Sequence, residues 1–203
     1  MTAVLALPTI AFESIDQRVY LHDIDWQGYE ALLAMRGEQC GARVTYLKGE
    51  LELMAPSINH ELFKTLLARL LETYAEERGI ELNGYGSWTV KNAEKGRGFE
   101  ADECYVVGLR NELPDIPDIA IEVVWTSGGI DKLEVYRGLG VPEVWFWKNG
   151  ALQFFVLEDG RYQTAARSRL LPDLDPALIA RFMSQSSQTQ AVRAFRAALR
   201  ESS

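Results

Sequence analysis

The sequence has little cysteine, little histidine and no long apolar run. Two cysteines, Cys40 and Cys104, and two histidines, His22 and His60, are all that its 203 residues contain. Two thiols cannot build a disulfide framework or a cysteine zinc site. Two histidines leave few bases for a serine-type triad. His60-Glu61 opens the segment HELFK, but Lys64 stands where a zinc-binding HExxH motif needs its second histidine. No apolar stretch approaches the roughly 18 residues that a membrane span needs, so no membrane partner is expected. The opening MTAVLALPTIAFES lacks a basic n-region, so no secretory signal is expected and the cytoplasm is the default location. Positive charge is also scarce: 21 Lys and Arg against 29 Asp and Glu leave a net charge of −8. Such a chain does not coat nucleic acid through a broad basic face. A metal-dependent nuclease survives this exclusion, because a divalent cation offsets an acidic cluster.

What is present is an average globular composition, 47% hydrophobic and 25% charged, which excludes disorder, collagen and coiled coil. The length suits one domain over residues 1–203. Helical spacing is read from Asp25 to Met35, and two short strands from Val44 to Met54 around Lys48-Gly49. A long amphipathic helix follows Ser57 or Asn59, with Leu66, Leu67, Leu70, Leu71 and Tyr74 on one stripe, and stops at Gly79. Strands are expected over Ile80 to Val90, broken by Gly84 and Gly86, over Phe99 to Val107 and over Ile119 to Trp125, with a polar loop from Lys91 to Gly98. A helix is read from Asp131 to Gly138, and a hairpin turns at Asn149-Gly150, a pair that accepts positive φ. The tail, about residues 175–200, reads as a helical appendage. Helices at both ends of a strand-rich middle indicate a mixed α/β or α+β fold.

One strand carries the chemical signal. Pro117-Asp118-Ile119-Ala120-Ile121-Glu122-Val123-Val124-Trp125 is almost wholly apolar, so it belongs in a sheet centre. Glu122 interrupts it. A buried carboxylate costs several kcal/mol unless it is paired or bound to a metal. It is read either as a metal ligand or as half of an ion pair, with Arg97 as one partner. Asp102 precedes the apolar run Cys104 to Val107 and reads as a turn residue or as a second ligand beside Glu122. Two carboxylates from adjacent strands can hold Mg²⁺. Lys132 opens a helix ten residues after Glu122, where the helix dipole disfavours a cation, and it could orient water or offset developing charge. Lys91, Lys95 and Arg97 are a solvated loop or phosphate contacts. Gly84-Tyr85-Gly86 and Gly96-Arg97-Gly98 match neither a dinucleotide loop nor a P-loop, and Ser127 lacks the GxSxG frame. The tryptophans at 125, 145 and 147 read as core.

Several stretches, taken in order, resemble one family. They are Lys48-Gly49-Glu50-Leu51-Glu52-Leu53-Met54-Ala55-Pro56, then His60, Phe99-Glu100-Ala101-Asp102, Pro117 to Val123, Lys132-Leu133 with Tyr136, and Gly140-Val141-Pro142-Glu143-Val144-Trp145. Together they resemble the Uma2 family of restriction-endonuclease-like proteins over about residues 26–162. The resemblance implies the PD-(D/E)XK nuclease fold, a central mixed sheet flanked by helices. It implies a Mg²⁺- or Mn²⁺-dependent endonuclease acting on nucleic acid, with DNA the expected substrate. Asp102 and Glu122 match the family's carboxylates, and with the Val123 carbonyl they would ligate the metal. Val124 stands where the nuclease pattern has its lysine, and Lys132 matches the relocated one. Glu50 matches a family glutamate that could complete the metal site or the water network, and Glu61 is a further candidate for the same task. Three departures stand out: Ala101 replaces a proline, the segment Trp125 to Ile130 is short, and Phe146-Trp147-Lys148 ends the following strand differently. A symmetric dimer is expected, built on the 148–150 hairpin or the C-terminal helix. The competing reading is a catalytically inactive nuclease fold kept as a binding or regulatory module.

Overall fold

The computed structural model describes residues 15–37, 41–124 and 129–201. Cys40, Trp125 and the rest of the 125–128 segment lie outside the described residues. Eleven strands and five helices alternate along the described chain. β1 (Gln17–Leu21), β2 (Arg43–Leu47), β3 (Glu50–Ala55), β5 (Thr89–Asn92) and β6 (Arg97–Glu100) form one antiparallel sheet, in the order β1-β3-β2-β6-β5. β4 (Leu82–Gly84), β7 (Glu103–Val107), β8 (Ile119–Val124), β9 (Glu143–Lys148), β10 (Ala151–Glu158) and β11 (Arg161–Ala165) form the second, in the order β11-β10-β9-β8-β7-β4. Only β8 and β9 run parallel among the pairs of that sheet. A parallel pair needs a crossover, and α3 (Lys132–Leu139) supplies it.

The long helix α2 spans Ile58–Arg78. Ser57 caps it, its Oγ accepting from the His60 N–H at 3.2 Å. Gly79 ends it in the left-handed region, at φ 64°, where glycine carries no Cβ penalty. Its apolar stripe, Leu66, Leu67, Leu70, Leu71 and Tyr74, packs on Ile121, Val123, Trp145 and Trp147 of the second sheet. The tail divides into α4 (Pro176–Met183) and α5 (Gln188–Glu201), and both join this core through Ile179, Phe182, Phe195 and Leu199. A second core lies on the opposite face of the same sheet. There Ala120 and Val144 meet Val135 and Tyr136 of α3, with Phe99 and Val90 from the first sheet. α1 (Trp26–Arg36) closes a third core, where Tyr29 stacks on Tyr46 at 4.8 Å between centroids. The mixed α/β architecture matches a restriction-endonuclease-like fold.

Two readings of the sequence are corrected. The polar loop expected over Lys91 to Gly98 is a hairpin, with strands on both sides of a short turn at residues 93–96. The strand expected over Phe99 to Val107 is two strands in different sheets, interrupted at Ala101-Asp102. The physical reason is Asp102. Its backbone N–H still bonds Ile121 O at 3.1 Å, but its side chain turns inward to accept from the Val123 N–H at 2.6 Å. A carboxylate competing for backbone donors breaks ladders in this way.

Candidate functional site

The interruption at Asp102 puts one carboxylate at the junction of the two sheets. β7 and β8 pair Glu103 with Ile121, so one further step of the register sets Asp102 across from Glu122. Both are buried, at 0% and 2% exposure. Lys132, in the first turn of α3, donates from Nζ to Glu122 Oε2 at 2.5 Å. Tyr136 lies four residues on, one helical turn, so it reaches the same group. Its hydroxyl donates to Glu122 Oε1. The structure therefore brings Asp102, Glu122 and Lys132 together.

Two further elements converge on Asp102, and a third stands beside them. His60, in the first turn of α2, faces Asp102 Oδ2 with Nε2 at 2.8 Å and Asp16 Oδ2 with Nδ1 at 3.0 Å. Arg43 of β2 holds Nη1 2.7 Å from Asp102 Oδ1 and Nη2 2.9 Å from Glu61 Oε1. Glu52 of β3 is buried beside Arg18, 3.8 Å away. Four carboxylates, Asp16, Glu52, Asp102 and Glu122, thus stand among four basic groups, Arg18, Arg43, His60 and Lys132.

Ionisation follows from that arrangement. Burial alone would push the Asp102 carboxyl up. The His60 hydrogen bond and the charges of Arg43, His60 and Lys132 outweigh it and hold the group well below the usual carboxylate range. Glu122 goes the other way. Burial raises it and the neighbouring Asp102 charge adds to this, against Lys132 and Tyr136. Burial would lower Lys132 and His60, but their carboxylate partners win and raise both. With a carboxylate on each ring nitrogen, His60 suits the imidazolium form. Two adjacent carboxyls pushed apart in this way can take different roles, one permanently ionised and one able to exchange a proton.

The other expected residues lie elsewhere or at the margin. Glu50 is exposed at the β2–β3 hairpin and pairs with His22. Glu52, two residues further along the same strand face, is the buried glutamate of that motif. Glu61 binds Arg43 and Lys64 and touches the cluster only through Arg43. Val123 gives its N–H to Asp102. Arg97 pairs with Glu134, not with Glu122, and Lys91 pairs with Glu30. Trp145 and Trp147 are core residues, as expected. Sequence reasoning gave no role to Asp16, Arg43 or Tyr136. Arg43 left a signal, a charged residue beginning an apolar strand, and Tyr136 stands in one of the stretches that carry the family resemblance. Glu143 imitates Glu122 in the sequence, but neutral donors satisfy it: Trp145 Nε1, Ser168 Oγ and the N–H groups of Arg169 and Leu170, all between 2.7 and 3.0 Å.

Among the described residues no group of three or more His, Cys, Asp or Glu is arranged to hold a metal ion by itself. No helix among them is long and apolar enough to cross a membrane. A search of curated proteins finds no match. The family model for Uma2, described as "Putative restriction endonuclease", matches residues 26–191. That match covers most of the chain, including Asp102, Glu122 and Lys132, and the chain belongs to the Uma2 family of restriction-endonuclease-like proteins.

Proposed function

We propose that the protein is a Mg²⁺-dependent endonuclease whose substrate is the phosphodiester backbone of DNA, with Asp102, Glu122 and Lys132 as its working residues. The observation that carries the reading is two buried carboxylates, Asp102 at the break before β7 and Glu122 opposite it on β8, beside the half-buried Lys132. The donor set fits the cation. Mg²⁺ is held by one or two carboxylates together with waters and substrate phosphates, not by a full protein cage. Cys104, the thiol of the second core, is pushed far up by burial and offers no competing soft ligand. Asp102, Glu122 and the Val123 carbonyl would hold the ion, and the ion would supply Lewis-acid activation of water and charge on the phosphate.

The chain's own groups do the rest. Asp102 stays ionised, fixed by Val123 N–H, His60 and Arg43. Lys132 Nζ keeps its proton and orients Glu122 Oε2, and Tyr136 fixes Oε1. Lys132, lining a cavity together with Glu122, would position the attacking water through Nζ. A two-fold dimer would suit duplex cutting.

A second reading, an inactive nuclease fold kept as a binding module, is favoured by Arg43 and Lys132 already offsetting both carboxylates. One experiment separates the two. Supercoiled plasmid and single-stranded DNA are incubated with Mg²⁺ or Mn²⁺, with Glu122→Gln as control and calorimetric Mg²⁺ titration alongside. Nicking and heat of binding that both vanish in the variant support the endonuclease. Equal nicking by the variant refutes it.

A further inference from the structure

Val124 leaves the third position of the Glu-X-Lys pattern without a cation, and the parallel register shows what stands next to it. β8 and β9 pair Glu122 with Phe146 and Val124 with Lys148. Side chains paired across a parallel ladder share a face, and alternation puts these four on one side of the sheet. The cores agree. Ala120, Val144 and Phe146 belong to the α3 side, whereas Val123, Trp145 and Trp147 belong to the α2 side. Lys148 therefore emerges on the face of Lys132, about 4.8 Å of strand spacing from the backbone of Val124.

Lys148 lines a cavity of about 270 Å³ together with Arg18, Glu122, Lys132 and Phe146. A water occupies about 30 Å³ of liquid, so the space admits a phosphate group with several waters. The cations around it are not equivalent. Lys132 is committed to Glu122 at 2.5 Å. Arg18 stands 3.8 Å from both Asp16 and Glu52. Lys148 forms no ion pair with any described residue. Its backbone is fixed all the same. It ends β9 against Ala151, directly before a turn with Asn149 at φ 52° and Gly150 at φ 73°, the two-residue hairpin that locks strand ends in register.

We propose that Lys148 is a further catalytic residue of this site, contacting a non-bridging oxygen of the scissile phosphodiester and replacing from β9 the cation that Val124 does not supply. The inference rests on the endonuclease reading above. In the hydrolysis a bond forms between water oxygen and phosphorus, and the ester P–O bond breaks. The water gives up one proton and the leaving oxygen ends with one. Lys148 takes no part in that exchange. Its charge faces the oxygen on which negative charge accumulates, where a fixed donor is worth most.

The test compares wild type, Lys148→Met and Lys148→Arg. Plasmid cleavage with Mg²⁺ is measured alongside binding of a duplex oligonucleotide in Ca²⁺ at several salt concentrations. Lys148→Met is expected to lower kcat by about 100- to 1,000-fold, with a smaller rise in KM from the lost phosphate contact. It should reduce the slope of log affinity against log salt by about one contact. Lys148→Arg should recover much of the loss, and the thermal midpoint should not move. Wild-type kcat in Lys148→Met, an Arg variant no better than Met, or a loss that tracks a lowered midpoint would overturn the assignment. If wild type and Glu122→Gln both fail to cleave, the endonuclease reading falls on its own. The salt slope then decides Lys148: a drop of about one supports the anion contact, and an unchanged slope refutes it.

Discussion

Arg36→Met should destabilise the protein by an amount that depends strongly on pH. Glu100 is 3% exposed and ties four elements together. Arg36 of α1 donates to both its oxygens at 2.5 Å, Thr89 of β5 donates at 2.6 Å, and the Val44 N–H of β2 at 3.0 Å. Burial would raise the Glu100 carboxyl, but these partners outweigh it and the group lies below its usual range. Its stabilising contribution is therefore full above the unfolded value and is lost as pH falls through the folded one. Removing Arg36 leaves a buried carboxylate short of its charge partner, at a cost of about 3–5 kcal/mol. Protonation sets a ceiling on that cost. Neutralising a carboxyl of unfolded pKa about 4.3 costs about 1.4 kcal/mol per pH unit, or about 3.7 kcal/mol at pH 7. In the variant the folded pKa lies above the unfolded one, so the penalty shrinks as pH falls. Urea unfolding should give a loss of about 3 kcal/mol at pH 7 and about 1–1.5 kcal/mol at pH 5.5. A loss that stays constant between those pH values would refute the argument. So would a double variant with Glu100→Gln whose cost equals the sum of the singles.

Gly98→Ala should cost about 1–3 kcal/mol, because a Cβ there would run into the Tyr29 hydroxyl and ring, themselves packed on Tyr46; a thermal midpoint lower by several degrees checks it. Ser57→Ala removes the α2 cap and should cost about 1 kcal/mol in urea unfolding. It should also slow cleavage, since the cap fixes the His60 turn against Asp102. Glu143→Gln sets an amide NH₂ against two of the four donors and should cost about 2–3 kcal/mol by urea unfolding. Its cleavage rate per folded molecule should match wild type, in contrast to Glu122→Gln.

Local rules go far in this chain. Capping residues, apolar spacing and the Asn149-Gly150 turn mark α1, α2, α3 and the β9–β10 hairpin in the sequence, because each depends on residues a few positions apart. The acid inside the β8 strand marks Glu122 for the same reason: a charge in an apolar run needs a partner. The identity of that partner is not local. Lys132 and Tyr136 reach Glu122 because the crossover helix folds back over its own strand. Arg97, an equal choice on paper, goes to Glu134. Glu122 and Glu143 look alike as text, and only the donors around them separate a site of ion pairs from a structural carboxylate held by uncharged donors. The break at Asp102, the choice of Glu52 over Glu50, and the arrival of Asp16, His60 and Arg43 from three distant segments belong to the tertiary structure alone. Burying a carboxylate requires compensation from whatever the fold brings within about 3 Å, and that neighbourhood is set by sheet register and layer order, which no single stretch of sequence encodes.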